Sequence, residues 1–214
     1  MYDEMKEVEL VNGFERRTER KKNNILQAAY ELFSVHGVQK VSIQEIAKKA
    51  QVSQVTIYNY FGGKDELLFA TVKQFAYQQI DQFRAVLEDE SRDFRDKIGC
   101  LISNKKEILH MDSDFLNTMM SDQPEIQSFV NELAETTTIP LLIELIEQGK
   151  KEGAVHPDLS VKSILFYVDM YFQTMRSRSD LFQKNKQDGQ LAEELTHMFF
   201  YGLLGNQNDR LIKD

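Results

Sequence analysis

Apolar residues recur at helical spacing along nearly the whole chain and the alternation of a half-buried strand is absent, so the pattern predicts an all-α protein. The first helix is expected over about residues 18–36, where Ile25, Ala28, Ala29, Leu32 and Phe33 form one stripe and Gly37 closes it as a left-handed cap. Ser42 and Glu45 have the spacing of a capping box, with Val41 and Ile46 as its hydrophobic staple, so a second helix opens at Ile43 and lasts to about Ala50. Ser53 caps a third over Gln54 to about Phe61, only two residues further on. Gly62 and Gly63 then break the pattern, and a long helix follows from Lys64 to about Glu88. Further helices are expected over 93–110, 113–121, 124–152 (bent or broken before Pro140), 159–178 and 189–204.

Two helices of about two turns are unstable alone. Set close together beside a longer supporting helix, they have the layout of a helix-turn-helix. On the third helix Ile57 and Phe61 lie one turn apart and face the core, which turns Gln54, Val55, Tyr58 and Asn59 outward. The Gln54 and Asn59 amides suit base edges in the major groove, Val55 suits a thymine methyl, and the hydroxyls of Thr56, Tyr58 and Tyr60 suit phosphates. The alternative is a short packing helix whose tyrosines fill the head's own core.

Charge sharpens this picture. The 214 residues carry a net charge of −8, which over the whole chain argues against a nucleic-acid partner. Residues 12–64, however, hold nine Lys/Arg against four acids, a net +5, with Arg16, Arg17, Arg20, Lys21 and Lys22 crowded at the expected start of the first helix. Cations there oppose the helix dipole, and phosphate is the natural compensating partner. Residues 65–214 carry a net −10, so a basic head sits on an acidic body.

Composition limits the remaining classes. With 42% hydrophobic and 28% charged residues the chain can bury a real core. No apolar run approaches a membrane span, the longest candidate, 139–146, being interrupted by Pro140 and Glu144. Residues 1–11 hold four acids and one lysine without an apolar core, so they do not read as a secretory signal, and a cytoplasmic protein is expected. The single cysteine, Cys100, leaves no intrachain disulfide and no Cys-x-x-Cys pair for zinc.

The positions Ile25, Ala28-Ala29, Leu32-Phe33, Gly37, Val41-Ser42, Ile46-Ala47, Ala50, Val52-Ser53, Thr56-Ile57-Tyr58, Tyr60-Phe61, Lys64 and Leu67-Leu68 together resemble the DNA-binding domain of the tetracycline-repressor (TetR) family over residues 18–70. The resemblance implies an all-α homodimer of about nine helices per subunit: a three-helix DNA-binding head at residues 1–63 and a helical bundle at 64–214 for effector binding and dimerisation. It implies a repressor released from a palindromic operator by a small molecule, with phosphate contacts from Ser42, Thr56, Tyr58, Tyr60 and Lys64 and base contacts from the outward face of the third helix. Gln51 departs from the family pattern, standing where a turn glycine is usual, and Val55 replaces a frequent small residue.

In the body, the expected helix from 159 carries two apolar arcs, one from Val161 to Met175 and a second of Phe166, Tyr167 and Met170. The last helix repeats this with Phe200, Leu203 and Leu204 on one of its sides. Core burial accounts for one arc of each, so the others suggest a two-fold interface with a second subunit, in which Phe200, Leu203 and Leu204 take part. Phe75, Phe83, Leu101, Phe115, Met119, Phe129, Phe166 and Met170 form a loose set of large adaptable groups, suited to an apolar effector pocket or to plain core.

An enzyme reading rests on Glu107 with His110 and Glu194 with His197, two Glu-x-x-His pairs such as a di-metal carboxylate bundle uses. Glu107 and His110 fall opposite the apolar arc of their helix, where solvent is expected, and no phosphate loop, nucleophile elbow or HExxH occurs. The sequence therefore points to a regulator and not an enzyme, with no cofactor and no metal. A DNA-binding regulator without an effector is the remaining alternative.

Overall fold

The computed structural model describes residues 2–104, 111–119, 124–177, 194, 195, 197 and 198, and every element among them is helical. The helices are α1 (Tyr2–His36), α2 (Ile43–Ala50), α3 (Gln54–Phe61), α4 (Lys64–Glu88), α5 (Phe94–Asn104), α6 (Ser113–Met119), α7 (Pro124–Leu133), α8 (Ile139–Lys151) and α9 (Val161–Ser177). Most of the expected 189–204 helix, with Phe200, Leu203 and Leu204, lies outside the described residues, as do Glu107 and His110.

The first expectation to fall is the start of α1. The helix opens at Tyr2 and not near Thr18. Its one glycine, Gly13, costs only about 1 kcal/mol inside a helix. Arg16 to Lys22 therefore lie well inside a helix, and a clash with the dipole no longer describes them. The long expected helix over 124–152 also resolves differently. Instead of breaking, the chain passes through one π-helical stretch, Ala134–Thr138, in which the Ile139 N–H reaches back to the Ala134 carbonyl. Pro140 follows in the first turn of α8, where its missing N–H is tolerated.

The chain divides into two compact packing units. One unit comprises Met1–Gln82 together with Met111–Glu132. Its core holds Ile25, Ala29, Phe33, Ile46, Ile57 and Leu67, all fully buried. Phe115 of α6 joins them, with its ring 6.0 Å from Phe33 and 6.1 Å from Tyr30, and Tyr30 stacks on Phe75 of α4 at 5.3 Å. The turn after α1 is also held by this returning segment. The Asp112 N–H donates to the Ser34 carbonyl at 2.7 Å, and Asp114 Oδ2 accepts the Gln39 N–H at 3.0 Å. Gly37 (φ +80°) permits the close approach, since a Cβ there would lie 2.6 Å from Asp112 Oδ1.

The other unit comprises Phe83–His110 and Leu133–Asp214. Leu87, Ile98 and Leu145 form its core, with Phe83, Phe94, Leu101 and Leu141 packed against them. The buried Lys97 ammonium donates to the Leu87 carbonyl, in the last turn of α4, and to Gln148 Oε1 at 2.9 Å. A cation at that end of a helix has the favoured sign. Gln148 in turn donates to Glu152, whose other oxygen accepts the Phe94 N–H at 2.7 Å. The ends of α4, α5 and α8 are thus tied by one polar chain.

Candidate nucleic-acid interface

The α2 and α3 termini follow from local chemistry. Ser42 is extended (φ −99°, ψ 155°), accepts the Glu45 N–H, and donates its own N–H and hydroxyl to Glu45 Oε2 at 2.8 and 2.7 Å. Both halves of the capping box are present. Ser53 accepts the Thr56 N–H at 3.1 Å and its hydroxyl lies 2.8 Å from Thr56 Oγ1. Between the two helices, Gln51 adopts the left-handed conformation (φ 57°) that the family's usual glycine would adopt without strain. Its N–H still closes α2 on the Ala47 and Lys48 carbonyls.

This framework turns one side of α3 inward and the other outward. Ile57 is wholly buried, whereas Val55 is 65% and Tyr58 50% exposed, and Gln54 and Asn59 are also exposed. Four adjacent outward side chains thus combine two amides, a branched methyl pair and a phenol. Thr56, Tyr60 and Lys64 are half-buried around this face. Ser42 is exposed, but its donors already serve Glu45, which makes it first the cap of α2. Hydrogen bonds from the Ser42 hydroxyl and N–H hold the Glu45 carboxyl below its ordinary range, so a negative charge sits beside it at neutral pH.

The head is tied across its helices by an ion pair. Lys49 of α2 lies 2.8 Å from Glu31 of α1, and Gln27 donates to the same carboxyl at 2.9 Å. These contacts, Lys49 first, lower the Glu31 pKa. At the base, Leu67 and Leu68 of α4 are buried in the same unit.

Of the residues expected to line an effector pocket, Phe75, Phe115, Met119 and Phe129 belong to one unit and Phe83, Leu101, Phe166 and Met170 to the other. Phe115 is fully buried against α1, and Phe129 packs edge-on against Phe69 and Tyr77, with the Lys73 ammonium 5.3 Å from its centroid. Phe75 stacks on Tyr30 and Met119 is half-buried in the same unit, whereas Phe83 and Leu101 pack on the core of the other. Phe166 and Met170 of α9 are 69% and 48% exposed. Their arc is apolar because the helix has two apolar sides, which a wheel cannot assign to core or surface.

One cavity, of about 540 Å³, has a lining the sequence reading missed: Glu90, Ser91, Arg92, Asp93, Lys97, Gln148 and Glu152. The residues belong to three helix ends with no common sequence motif. Among the described residues no group of three His, Cys, Asp or Glu could hold a metal ion, and no helix is long and apolar enough to cross a membrane. Glu194 is exposed and His197 half-buried.

Residues 25–71 match the family model described as bacterial regulatory proteins, tetR family. Over 55 residues, 26% of this chain, the sequence is 46% identical to the HTH-type transcriptional regulator HbdR of Aromatoleum sp. (strain CIB), a stretch spanning 24% of that protein's length. The fold extends further than the sequence match. The fatty acid degradation regulator FadR of Bacillus halodurans superposes with a TM-score of 0.62 at 22% identity, covering 87% of this chain and 97% of that one. FadR of Bacillus subtilis, solved in complex with stearoyl-CoA, gives 0.58 at 21% identity over 85% of this chain and 98% of its own. The helix-turn-helix, with two amides, a branched methyl pair and a phenol on its outward face, thus lies inside the segment, residues 25–71, that resembles the tetR family of bacterial regulatory proteins.

Proposed function

We propose that the protein is a ligand-responsive repressor that binds a palindromic operator as a two-fold homodimer and releases it when a small molecule occupies its C-terminal part. The observation that carries the reading is the outward face of α3. Gln54 and Asn59 read base edges, Val55 touches a thymine methyl, and Tyr58, with Thr56, Tyr60 and Lys64, reaches phosphates. Ser42 contributes at the backbone only as far as Glu45 gives way. In this assignment residues 1–63, with Lys64 at the boundary, contact the operator, and the rest of 64–214 serves effector and partner subunit.

The dimer is supported by α9, where Phe166, Tyr167 and Met170 stay exposed along an arc of about 100°. The effector class is supported by the shared fold of FadR from Bacillus subtilis, which binds stearoyl-CoA. We take a long-chain acyl thioester as the effector. The test is titration of the intergenic DNA beside its own gene, with and without stearoyl-CoA. Binding that is tight alone and weakened by the thioester is expected. No binding to that DNA at low salt would sink the operator half, and binding indifferent to stearoyl-CoA would sink the effector class.

A further inference from the structure

We propose that the part of α1 preceding the family-matched segment is a second DNA contact, a basic helical arm that grips backbone phosphates flanking the operator half-site. The inference rests on the DNA-binding role of α2 and α3 and adds a surface outside them, since the match to the family begins at residue 25. Three observations carry it. First, the arm is helical: α1 runs unbroken from Tyr2 to His36, so side chains at 16–21 have fixed directions relative to the head.

Second, charge on this stretch is sorted by side. At about 100° per residue, Arg16, Arg20, Arg17 and Lys21 fall within an arc of about 140°, while Glu15 and Glu19 lie on the opposite side, with Lys22 paired to Glu19 at 3.1 Å. Arg16, Arg20 and Lys21 are exposed, and no carboxylate lies within 4.0 Å of them among the described residues. A solvated charge face serving solubility alone has no need to exclude acids from one side.

Third, the arc points the right way. Glu31, the residue that Lys49 of α2 grips at 2.8 Å, lies about 60° from Arg16 and about 20° from Arg20 on the same wheel. The basic arc is thus the continuation along α1 of the side on which α2 is tied. Phe33, which meets Phe115, points the other way, about 170° from the centre of the arc. Arg20 stands about 16 Å along the axis from Glu31, and Arg16 about 22 Å, at 1.5 Å per residue. Phosphates on one strand recur every 3.4 Å, so about 16 to 22 Å measured along a strand corresponds to about five to six nucleotides.

The experiment uses the full chain and a random-sequence 40-base-pair duplex, so no operator need be known. Affinity is measured between about 50 and 200 mM salt for wild type, for R16A/R20A/K21A, and for R16K/R20K. Alanine is the best helix former and keeps α1 intact, which circular dichroism verifies. Loss of three phosphate contacts makes the log-log salt slope shallower by about 2.7, so the wild-type advantage shrinks by about 40-fold across that range. The lysine variant keeps the wild-type slope. An unchanged slope in the alanine variant overturns the arm while leaving α3 as the reader. A wild-type protein whose duplex binding ignores salt overturns the arm and the electrostatic role of the head together.

Discussion

At the scale of single residues, the turn of the helix-turn-helix shows how a position can be right in place and poor in chemistry. Gln51 holds φ 57° with a side chain, a conformation that costs about 1 kcal/mol and that glycine adopts freely. Gln51→Gly should therefore stabilise the head, by about 0.5 kcal/mol once the added flexibility of the unfolded chain is offset. A rise in the urea midpoint without a change of slope is the expected reading. Glu31 supplies a pH signature. Its pKa is lowered in the fold, chiefly by the Lys49 hydrogen bond, so the stability it contributes is complete above its ordinary value of 4.5 and is lost as the pH falls through the lower folded value. Both partners are partly exposed, 40% for Lys49 and 45% for Glu31, which limits the effect to about 0.5 kcal/mol. Unfolding curves of wild type and Lys49→Met should differ at neutral pH and converge in acid; equal separation at pH 3 would remove the ion pair as the cause.

At the scale of elements, α2 and α3 were fully legible because their ends are written in single residues. Ser42, Glu45 and Ser53 fix the starts, and the helices run over Ile43–Ala50 and Gln54–Phe61 as the caps predict. The start of α1 was not legible, since a run of Asp, Glu, Lys and Arg is equally at home in helix and in solvent. The π-helical stretch was also hidden: Pro140 announces a disturbance, but whether the chain breaks or takes a wider turn depends on packing. The division of labour on α3 yields a test at this scale. Gln54→Ala and Asn59→Ala should each change which base pairs are preferred, by about 1 to 3 kcal/mol at the affected position, measured by binding to a library of single-base variants. Lys64→Ala should instead weaken all sequences alike. Uniform weakening by the Gln54 and Asn59 variants would mean that α3 supports the interface without reading it.

At the scale of the whole molecule, charge counts by segment set a basic stretch at 12–64 apart from an acidic remainder, whereas composition names no pocket wall. Met and Phe content names adaptable side chains without saying which share a wall, and the candidates prove to be spread over two packing units. A coupling between effector and operator has a reciprocal signature that needs no knowledge of the walls. If stearoyl-CoA lowers operator affinity by about 5- to 150-fold, equivalent to about 1 to 3 kcal/mol, saturating operator must lower stearoyl-CoA affinity by the same factor. Titrations in both directions check this, and a mismatch beyond error would mean that the two ligands do not share one two-state equilibrium.

The return of residues 111–132 to the first unit bears on how this protein can be taken apart. A fragment ending at residue 63 would bare the Phe33 ring that Phe115 covers, leave the Gln39 N–H without Asp114, and lose Leu67 and Leu68. Such a piece is not a portable module. On the proposed function, grafting the operator preference onto a regulator calls for exchanging Gln54, Val55, Tyr58 and Asn59 on the recipient's own scaffold, because transplanting the N-terminal segment would leave behind the seat on which it is folded.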